Sequence, residues 1–217
     1  MRRVVLLRHG RTAWNAERRF QGQLDPGLDE VGRMQAWEVA PLIAALAPGV
    51  LVSSDAQRAV QTAAAVATAT GLPLATDARL RERSLGHWEG LTREEVAERF
   101  PQEFAEWAAG RDVTRRGGES REEVAGRALA ALRELPGVGT AVLVTHSATA
   151  MALTTAVLGL PQRAHVLSPL ANCHWSELVA EDSGQAWRLR SHNIGTPGGV
   201  VPLPVAIASE EATDADA

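Results

Sequence analysis

The feature that most constrains this chain is a set of short, continuous apolar runs at residues 4–7, 50–53 and 141–145, each followed closely by polar residues. An apolar run without alternation is typical of a strand buried on both faces, as in a parallel sheet covered by helices. Longer segments with helical spacing of apolar residues separate the runs. The pattern therefore predicts an α/β fold, a three-layer sandwich with a mainly parallel central sheet flanked by helices.

The segments between the runs carry helix start and stop signals. The segment at 56–70 ends at Gly71, and Ser120 with Glu123 three residues later resembles a capping box. Near the C-terminus, residues 175–180 and 187–192 alternate between apolar and polar and predict an antiparallel hairpin. The predicted helices lie at residues 30–46, 56–70, 92–100, 102–109, 120–135 and 147–158.

The length of 217 residues fits one domain. We expect this domain at residues 1–195, with a helical insertion at about 90–120. Residues 196–217 are rich in Pro, Gly, Ala and acidic residues and are predicted to form a flexible tail. A globule of this size buries enough surface to fold without a structural metal, and the single Cys173 leaves no partner for an internal disulfide.

Composition disfavours several classes of function. The net charge of −4 argues against a general nucleic-acid binder, which would usually be basic. The first apolar run is too short for a signal peptide, and no segment reaches the length of a transmembrane helix. We therefore expect a cytoplasmic protein without nucleic-acid or membrane partners.

Polar residues of one chemical character follow three of the predicted strands. Arg8 and His9 follow the first, Arg58 lies in the first turn of the helix after the second, and His146 follows the run at 141–145. Because parallel strands end at one edge of a sheet, these side chains can converge. Arginine binds phosphate oxygens through two N–H groups, and histidine supplies a donor or a nucleophile. The pattern therefore predicts an anion site.

Four ordered blocks resemble the histidine phosphatase superfamily, which includes the phosphoglycerate mutases. They read LRHGRTAWN at 7–15, SSDAQRAVQTA at 53–63, LRERSLGHWEG at 80–90 and VTHS at 144–147. The resemblance runs from the start of the chain to about residue 150. It implies a phosphoglycerate mutase-like fold and metal-independent chemistry through a phosphohistidine, without a cofactor.

The resemblance also implies roles for the residues that match its motifs. His9 would attack phosphorus in line, and Arg8, Arg58 and His146 would hold the phosphoryl oxygens. Glu82 would protonate the leaving alkoxide and then activate water as a base. The nucleophile must be a neutral imidazole, which nearby arginines favour by disfavouring the imidazolium. No step requires a metal.

Further residues are candidate substrate contacts. They are Asn15, Gln21, Gly22, Arg115, Arg116 and Ser147. Asn15 can donate to a phosphate oxygen, and the backbone N–H groups after His146 can do the same at the start of a helix. Arg115 and Arg116 either bind an acidic substrate or form a solvated charge pair in a polar loop.

Some positions depart from the family pattern or leave alternatives open. His87 stands where relatives often carry an acidic residue, and residues 147–149 replace the small residues, often glycines, that usually follow the second histidine. These changes affect the shape of the pocket rather than the chemistry. Glu89 is the alternative to Glu82 as the acid, and His174 is a further candidate for contact with substrate.

Three functions are compatible with this resemblance. A phosphatase admits water to the phosphohistidine, a cofactor-dependent phosphoglycerate mutase excludes it, and a non-catalytic relative only binds phosphorylated ligands. All the catalytic residues are present, which disfavours the third function. The segment between Glu82 and Gly118 is short and lacks an insertion like the mutase substrate lid, which favours a phosphatase.

The substrate expected for such a phosphatase is a small phosphorylated metabolite. Residues 20–25, 117–121, 172–178 and 187–189 most resemble the binding loops of the actinobacterial glucosyl-3-phosphoglycerate phosphatases. That resemblance implies glucosyl-3-phosphoglycerate or a related ester as substrate. Relatives are often dimeric, so a homodimer is a further candidate.

Overall fold

A six-stranded sheet forms the centre of the computed structural model, which describes residues 2–162, 167–180 and 186–196. Its strands are β1 (Arg2–Arg8), β2 (Val50–Ser53), β3 (Leu74–Thr76), β4 (Gly139–Thr145), β5 (Trp175–Ala180) and β6 (Trp187–Ile194). Their order is β3-β2-β4-β1-β5-β6. The pairs β3/β2, β2/β4 and β4/β1 are parallel, whereas β1/β5 and β5/β6 are antiparallel. The predicted sheet, mainly parallel with a terminal hairpin, is confirmed.

Helices cover both faces of this sheet. They are α1 (Ala13–Ala16), α2 (Glu30–Ala44), α3 (Gln57–Thr70), α4 (Arg93–Arg99), α5 (Pro101–Ala108), α6 (Arg121–Glu134) and α7 (Ser147–Val157). Val5 and Leu7 of β1 pack with α2 and α3, while Val4 and Leu6 pack on the other face with α6 and α7. All four side chains are fully buried, and each contributes about 1.5–3 kcal/mol of transfer free energy. The three-layer prediction is therefore confirmed. None of these described helices is long and apolar enough to cross a membrane.

Helix boundaries follow the predicted local signals. Ser120 accepts a hydrogen bond from the Glu123 N–H and the Glu123 carboxylate accepts one from the Ser120 N–H, which forms the predicted capping box. Gly71 ends α3 in the left-handed region, at φ 70°, where a glycine has no Cβ to clash. The strand β3 was not predicted, because three residues with one partly buried side chain give no periodic signal.

The segment predicted as a helical insertion forms a small separate core. The helices α4 and α5, followed by a short 3-10 turn at Thr114–Arg116, surround the buried side chains of Trp88, Val96 and Val113. This cluster does not share buried residues with the two cores beside the sheet. The domain limit at residue 195 stays a prediction, and the predicted tail at 196–217 lies outside the described residues except for Thr196.

Candidate active site

The two histidines of the predicted anion site lie side by side at the ends of neighbouring strands. β1 and β4 are in parallel register, with Arg8 opposite Thr145, and the His9 N–H donates to the Thr145 carbonyl at 3.0 Å. The next residue on each strand is therefore a histidine, and the ring centroids of His9 and His146 are 5.1 Å apart. The sheet backbone itself brings these two rings together.

His9 is held in the form that a nucleophile requires. Its Nδ1 lies 2.7 Å from the Gly10 carbonyl oxygen, which can only accept, so Nδ1 carries the proton and Nε2 keeps its lone pair. The residue is 3% exposed. Burial and the positive charges of Arg8 and Arg58 hold the pKa of His9 well below its ordinary value. The imidazole is therefore neutral at pH 7.

His146 is oriented by a residue that the sequence did not suggest. Its Nε2 lies 2.9 Å from Ser54 Oγ, and Ser54 Oγ also accepts from the Ala56 N–H at 3.3 Å. A hydroxyl that donates to Nε2 leaves the proton of His146 on Nδ1. Nδ1 is buried and has no hydrogen-bond partner among the described residues, so it is available as a donor to a ligand. Burial and the charge of Arg58 lower the pKa of His146 well below its ordinary value.

Two arginines, the buried Arg58 and the partly exposed Arg8, supply positive charge to the same site. Arg8 Nη1 donates to the Leu170 carbonyl at 2.6 Å, and Arg58 donates to the carbonyls of Leu24 and Gly22 at 2.7 and 2.9 Å. The Nε of each arginine is buried without a partner in the described part of the chain. Burial lowers the pKa of Arg8 to about 10, which still leaves it charged at pH 7. The two guanidiniums can therefore pair with an anion.

Glu82 lies beside these arginines on a loop. Its negative charge raises the pKa of both Arg8 and Arg58 against the effect of burial, and Glu82 and Arg58 line one cavity. The Glu82 carboxylate accepts from the Arg83 N–H at 2.8 Å and from the Ala148 N–H at 3.3 Å. One of the N–H groups predicted to bind phosphate at the start of α7 thus contacts Glu82 instead.

The lining of this cavity includes polar groups beyond the predicted set. Arg81 makes a bidentate pair with Asp55, with both N–O distances 2.7 Å, and Gln23 and Asp25 complete the polar lining. Arg81 and Asp55 lie within family-like blocks, but no spacing rule in the sequence indicated that they pair. Together with Gln23 and Asp25, they place a cation, two carboxylates and an amide around the group that is esterified to a bound phosphate.

Asn15 is fixed by a contact that was also not predicted. Its Oδ1 accepts from Asn172 Nδ2 at 3.2 Å and from the Thr12 N–H at 3.1 Å, so the amide nitrogen is the group left to donate. Asn172 Nδ2 also donates to the His9 carbonyl at 3.0 Å. Asn172 belongs to a segment 157 residues away from Asn15, so only the fold could reveal this pairing.

Of the other predicted substrate contacts, Ser147 and Gln21 have unpaired polar atoms, whereas Gly22 has a structural role. Ser147 Oγ and Gln21 Oε1 are buried polar atoms without partners in the described residues, as expected of groups that meet a ligand. The Gly22 carbonyl binds Arg58, and at φ 51° a Cβ at this position would lie 2.2 Å from Glu89 Oε1. Gly22 therefore supports Arg58 and allows close approach of Glu89.

Arg115 and Arg116 contact the insertion rather than the catalytic cluster. Arg115 pairs with Glu106 at 2.7 Å, and neither arginine lines the cavity beside Glu82. The interpretation of a solvated pair is wrong for Arg116, which is 1% exposed, stacks 5.4 Å from the Trp88 ring and donates to the Val113 carbonyl. The small core of the insertion has room for a flat guanidinium, and its loop carbonyls need a donor.

The open alternatives for the acid and for additional histidines can now be compared. Glu89 Oε1 accepts from the Leu85 N–H at 2.8 Å and from Ser84 Oγ at 3.2 Å, so this carboxylate anchors a loop. His87 lies 3.1 Å from Glu103 inside the insertion. His174 Nδ1 contacts the Asn172 carbonyl at 3.0 Å. These contacts favour Glu82 as the acid and structural roles for the two histidines.

The fold and the site together define a class of protein. The sheet has this strand order, with one histidine after β1 and a second after β4 beside two arginines. Residues 4–195 of the chain match the family model described as "histidine phosphatase superfamily (branch 1)". The chain belongs to the histidine phosphatase superfamily.

The chain is also similar to individual members of this superfamily. The chain is 41% identical over 190 residues to a glucosyl-3-phosphoglycerate phosphatase of Mycolicibacterium vanbaalenii, covering 82% of this chain and 84% of that protein. It is 35% identical over 211 residues to a probable phosphoglycerate mutase, GpmB, of Klebsiella pneumoniae, covering 94% and 95%. A solved mycobacterial glucosyl-3-phosphoglycerate phosphatase in complex with VO3 superposes with a TM-score of 0.83 at 36% identity, over 89% of this chain and 99% of that one.

Proposed function

We propose that this protein is a metal-independent phosphomonoester phosphatase that works through a phosphohistidine on His9. The observation that carries the proposal is the state of His9, a buried neutral imidazole whose Nδ1 is bound to the Gly10 carbonyl and whose Nε2 keeps its lone pair. Two arginines and a second histidine surround it, and a carboxylate shares the cavity of one arginine. This set suffices for both halves of phosphoryl transfer.

In the first half of the reaction, His9 Nε2 attacks phosphorus while the bond between phosphorus and the ester oxygen breaks. Arg8, Arg58 and His146 Nδ1–H donate to the three phosphoryl oxygens and stabilise their charge in the transition state. Glu82, in its protonated form, gives its proton to the departing alkoxide. The product alcohol leaves, and His9 carries the phosphoryl group on Nε2 with Nδ1–H still bound to the Gly10 carbonyl.

In the second half, water replaces the alcohol. The Glu82 carboxylate takes a proton from this water as its oxygen attacks phosphorus, and the bond between phosphorus and Nε2 breaks. The electron pair returns to His9, inorganic phosphate leaves, and Glu82 is again protonated for the next cycle. Each proton and electron pair is thus returned within one turnover.

The substrate that we propose is glucosyl-3-phosphoglycerate or a related small phosphorylated metabolite. The proposal is supported by the names of the 41% identical relative and of the superposed mycobacterial structure. The cavity beside Glu82 also suits such an ester, because Arg81 can bind a carboxylate while Asp25, Asp55 and Gln23 can accept or donate hydrogen bonds to sugar hydroxyls. A cytoplasmic location and a homodimer stay predictions.

The test is phosphorus NMR of the protein with glucosyl-3-phosphoglycerate or 3-phosphoglycerate, each in the presence of a chelator. We expect rapid release of inorganic phosphate from the glucosylated ester and much slower release from 3-phosphoglycerate. A requirement for a divalent metal would overturn the mechanism. Equal release from both esters would retain the phosphatase and reject the substrate.

The second candidate is a phosphoglycerate mutase. The 35% identity to the probable mutase GpmB, which extends over 94% of this chain, supports this candidate. A mutase must protect its phosphohistidine from water, so it would convert 3- to 2-phosphoglycerate without releasing phosphate. The same NMR experiment, repeated with 2,3-bisphosphoglycerate present, separates the two functions. Interconversion that outpaces phosphate release would establish the mutase.

A further inference from the structure

The loop that carries Glu82 has an unusual source of rigidity. Glu82 follows a short 3-10 turn, Ala78–Leu80, and lies outside the helices and strands of the fold. Even so, the carbonyls of four consecutive residues, 79 to 82, each accept a hydrogen bond from a side chain. Thr145 of β4 binds the Leu80 carbonyl at 2.7 Å, and Thr149 of α7 binds the Arg81 carbonyl at 2.7 Å. Gln23 Nε2 donates to the Glu82 carbonyl at 3.3 Å, and further support comes from α6.

Arg127 of α6 binds three of these four carbonyls. Its Nη1 donates to the carbonyls of Arg79 and Arg81, both at 2.7 Å, and its Nη2 donates to the Glu82 carbonyl at 3.0 Å. The other two N–H groups, one each on Nε and Nη2, bind the Glu119 carboxylate at 2.8 and 3.0 Å. All five donors of the guanidinium are therefore used, and two of them form a fork on one carboxylate that lysine cannot reproduce.

Glu119 links Arg127 to the other side of the acid. Its Oε2 accepts from the Ser84 N–H at 2.8 Å and contacts Gln23 Nε2 at 3.4 Å. One carboxylate therefore connects α6 both to Ser84, two residues after Glu82, and to Gln23 in the cavity lining. Burial alone would raise the pKa of Glu119, but the hydrogen bonds from Arg127 and Ser84 outweigh it and lower that pKa. Glu119 therefore stays ionised and holds the arginine in place.

We infer that Arg127 is a positioning residue for the general acid, and that Glu119 orients Arg127. The inference rests on the proposed role of Glu82. The pair fixes the backbone on both sides of Glu82 so that its carboxylate meets the ester oxygen, and it contacts neither the nucleophile nor the arginines that bind phosphate. A displacement of a catalytic group by about 1 Å costs on the order of 100-fold in rate. The loss should therefore appear in the two steps that use Glu82, protonation of the alkoxide and activation of water.

The experiment compares an alkyl phosphate, glucosyl-3-phosphoglycerate, with p-nitrophenyl phosphate, whose leaving group needs no proton. The quantity measured is kcat/KM, which reports only the steps up to departure of the leaving group. It therefore excludes the later use of Glu82 as a base. For R127K and E119Q we expect kcat/KM to fall about 10- to 100-fold with the alkyl ester and less than about 3-fold with the aryl ester. R133Q, at an exposed position of the same helix, should match wild type on both esters.

The outcomes separate this inference from the mechanism beneath it. Equal losses on the two esters, or no loss with either variant, would mean that the pair has a structural role only and would overturn the inference. E82Q is measured in parallel. If E82Q itself shows no selective loss, the acid role of Glu82 fails; if it does and neither R127K nor E119Q follows it, only the positioning role fails. Thermal melting of each variant identifies any that does not fold, and either variant alone suffices.

Discussion

The two ends of the active site are built in different ways. At the phosphate end, Arg8, His9 and His146 stand on or directly after strands, and the β1/β4 register sets the distance between the two rings. At the acid end, Glu82 stands on a loop whose carbonyls are bound by side chains from β4, α6 and α7. Main-chain pairing places the nucleophile, whereas side-chain contacts place the acid.

This difference matches the different tasks of the two ends, phosphoryl transfer and protonation of the leaving group. Transfer of a phosphoryl group needs the same charges whatever its leaving group, so a rigid, buried cluster suits that task. Protonation depends on the particular alcohol, and the acid shares its cavity with polar side chains that can contact that alcohol. Changes at the phosphate end should therefore affect all substrates, and changes at the acid end should depend on the leaving group.

The largest expected effect is at the nucleophile. His9→Ala should lower kcat/KM by about 10⁴-fold or more on both the alkyl and the aryl ester, because removal of a nucleophile abolishes the covalent route. Both esters are assayed for product release in the presence of a chelator. His87→Ala is the matched control, since His87 contacts Glu103 in the insertion. Residual turnover of either ester above a few per cent would show that His9 is not the nucleophile.

The next effect sharpens the contrast at the acid. Glu82→Gln should lower kcat/KM for the alkyl ester by about 100- to 1000-fold, the usual contribution of a positioned acid, and should change that for the aryl ester far less. Stopped-flow measurement with the aryl ester should show a burst of phenol followed by slow turnover, because water is no longer activated. Equal losses on the two esters would remove the distinction between the two ends.

A smaller effect is expected where a side chain supports the phosphate end. Ser54→Ala removes the hydroxyl that fixes the His146 ring, which should cost about 5- to 10-fold in kcat/KM, the value of one hydrogen bond. Because His146 acts on the phosphoryl oxygens, the loss should be the same for both esters. A selective loss with the alkyl ester would place His146 in the protonation step instead.

The last prediction concerns stability. The pKa values of buried His9 and His146 lie below the unfolded value of about 6.5, so the folded state binds fewer protons. The free energy of unfolding should therefore fall as the pH drops below about 6.5, by at most about 1.4 kcal/mol per pH unit for each histidine. Urea unfolding at pH 7.5, 6.5 and 5.5 measures this slope. His9→Asn should reduce the slope; an unchanged slope in His9→Asn would mean that His9 is not neutral in the fold.

The sequence predicted the phosphate end closely because its signals are local. Continuous apolar runs mark buried strands, and the residue after such a strand must lie at the edge of the sheet. This rule predicts both the position of Arg8, His9 and His146 at the edge of the sheet and their proximity to one another. The capping box at Ser120 and the terminal hairpin are equally local, and the structure has both.

The partners of these residues were not predictable in the same way. Ser54 on His146, Asn172 on Asn15 and Arg127 on the Glu82 loop join segments that are 45 to 157 residues apart. No period or spacing encodes such pairs, because each depends on where two separately folded elements come to lie. Arg116 shows the same limit, since a charged residue in a polar loop is buried only once a small core forms around it.

The sequence by itself thus determined the layers of the fold, the strand ends that carry the chemistry and the family to which the chain belongs. Only the tertiary structure decided which tautomer His9 adopts, which residue orients His146 and what holds Glu82 in place. The physical reason is the range of the interactions. Hydrophobic periodicity and capping act over a few residues, whereas hydrogen bonds between loops and helices depend on where the packed layers place the two partners.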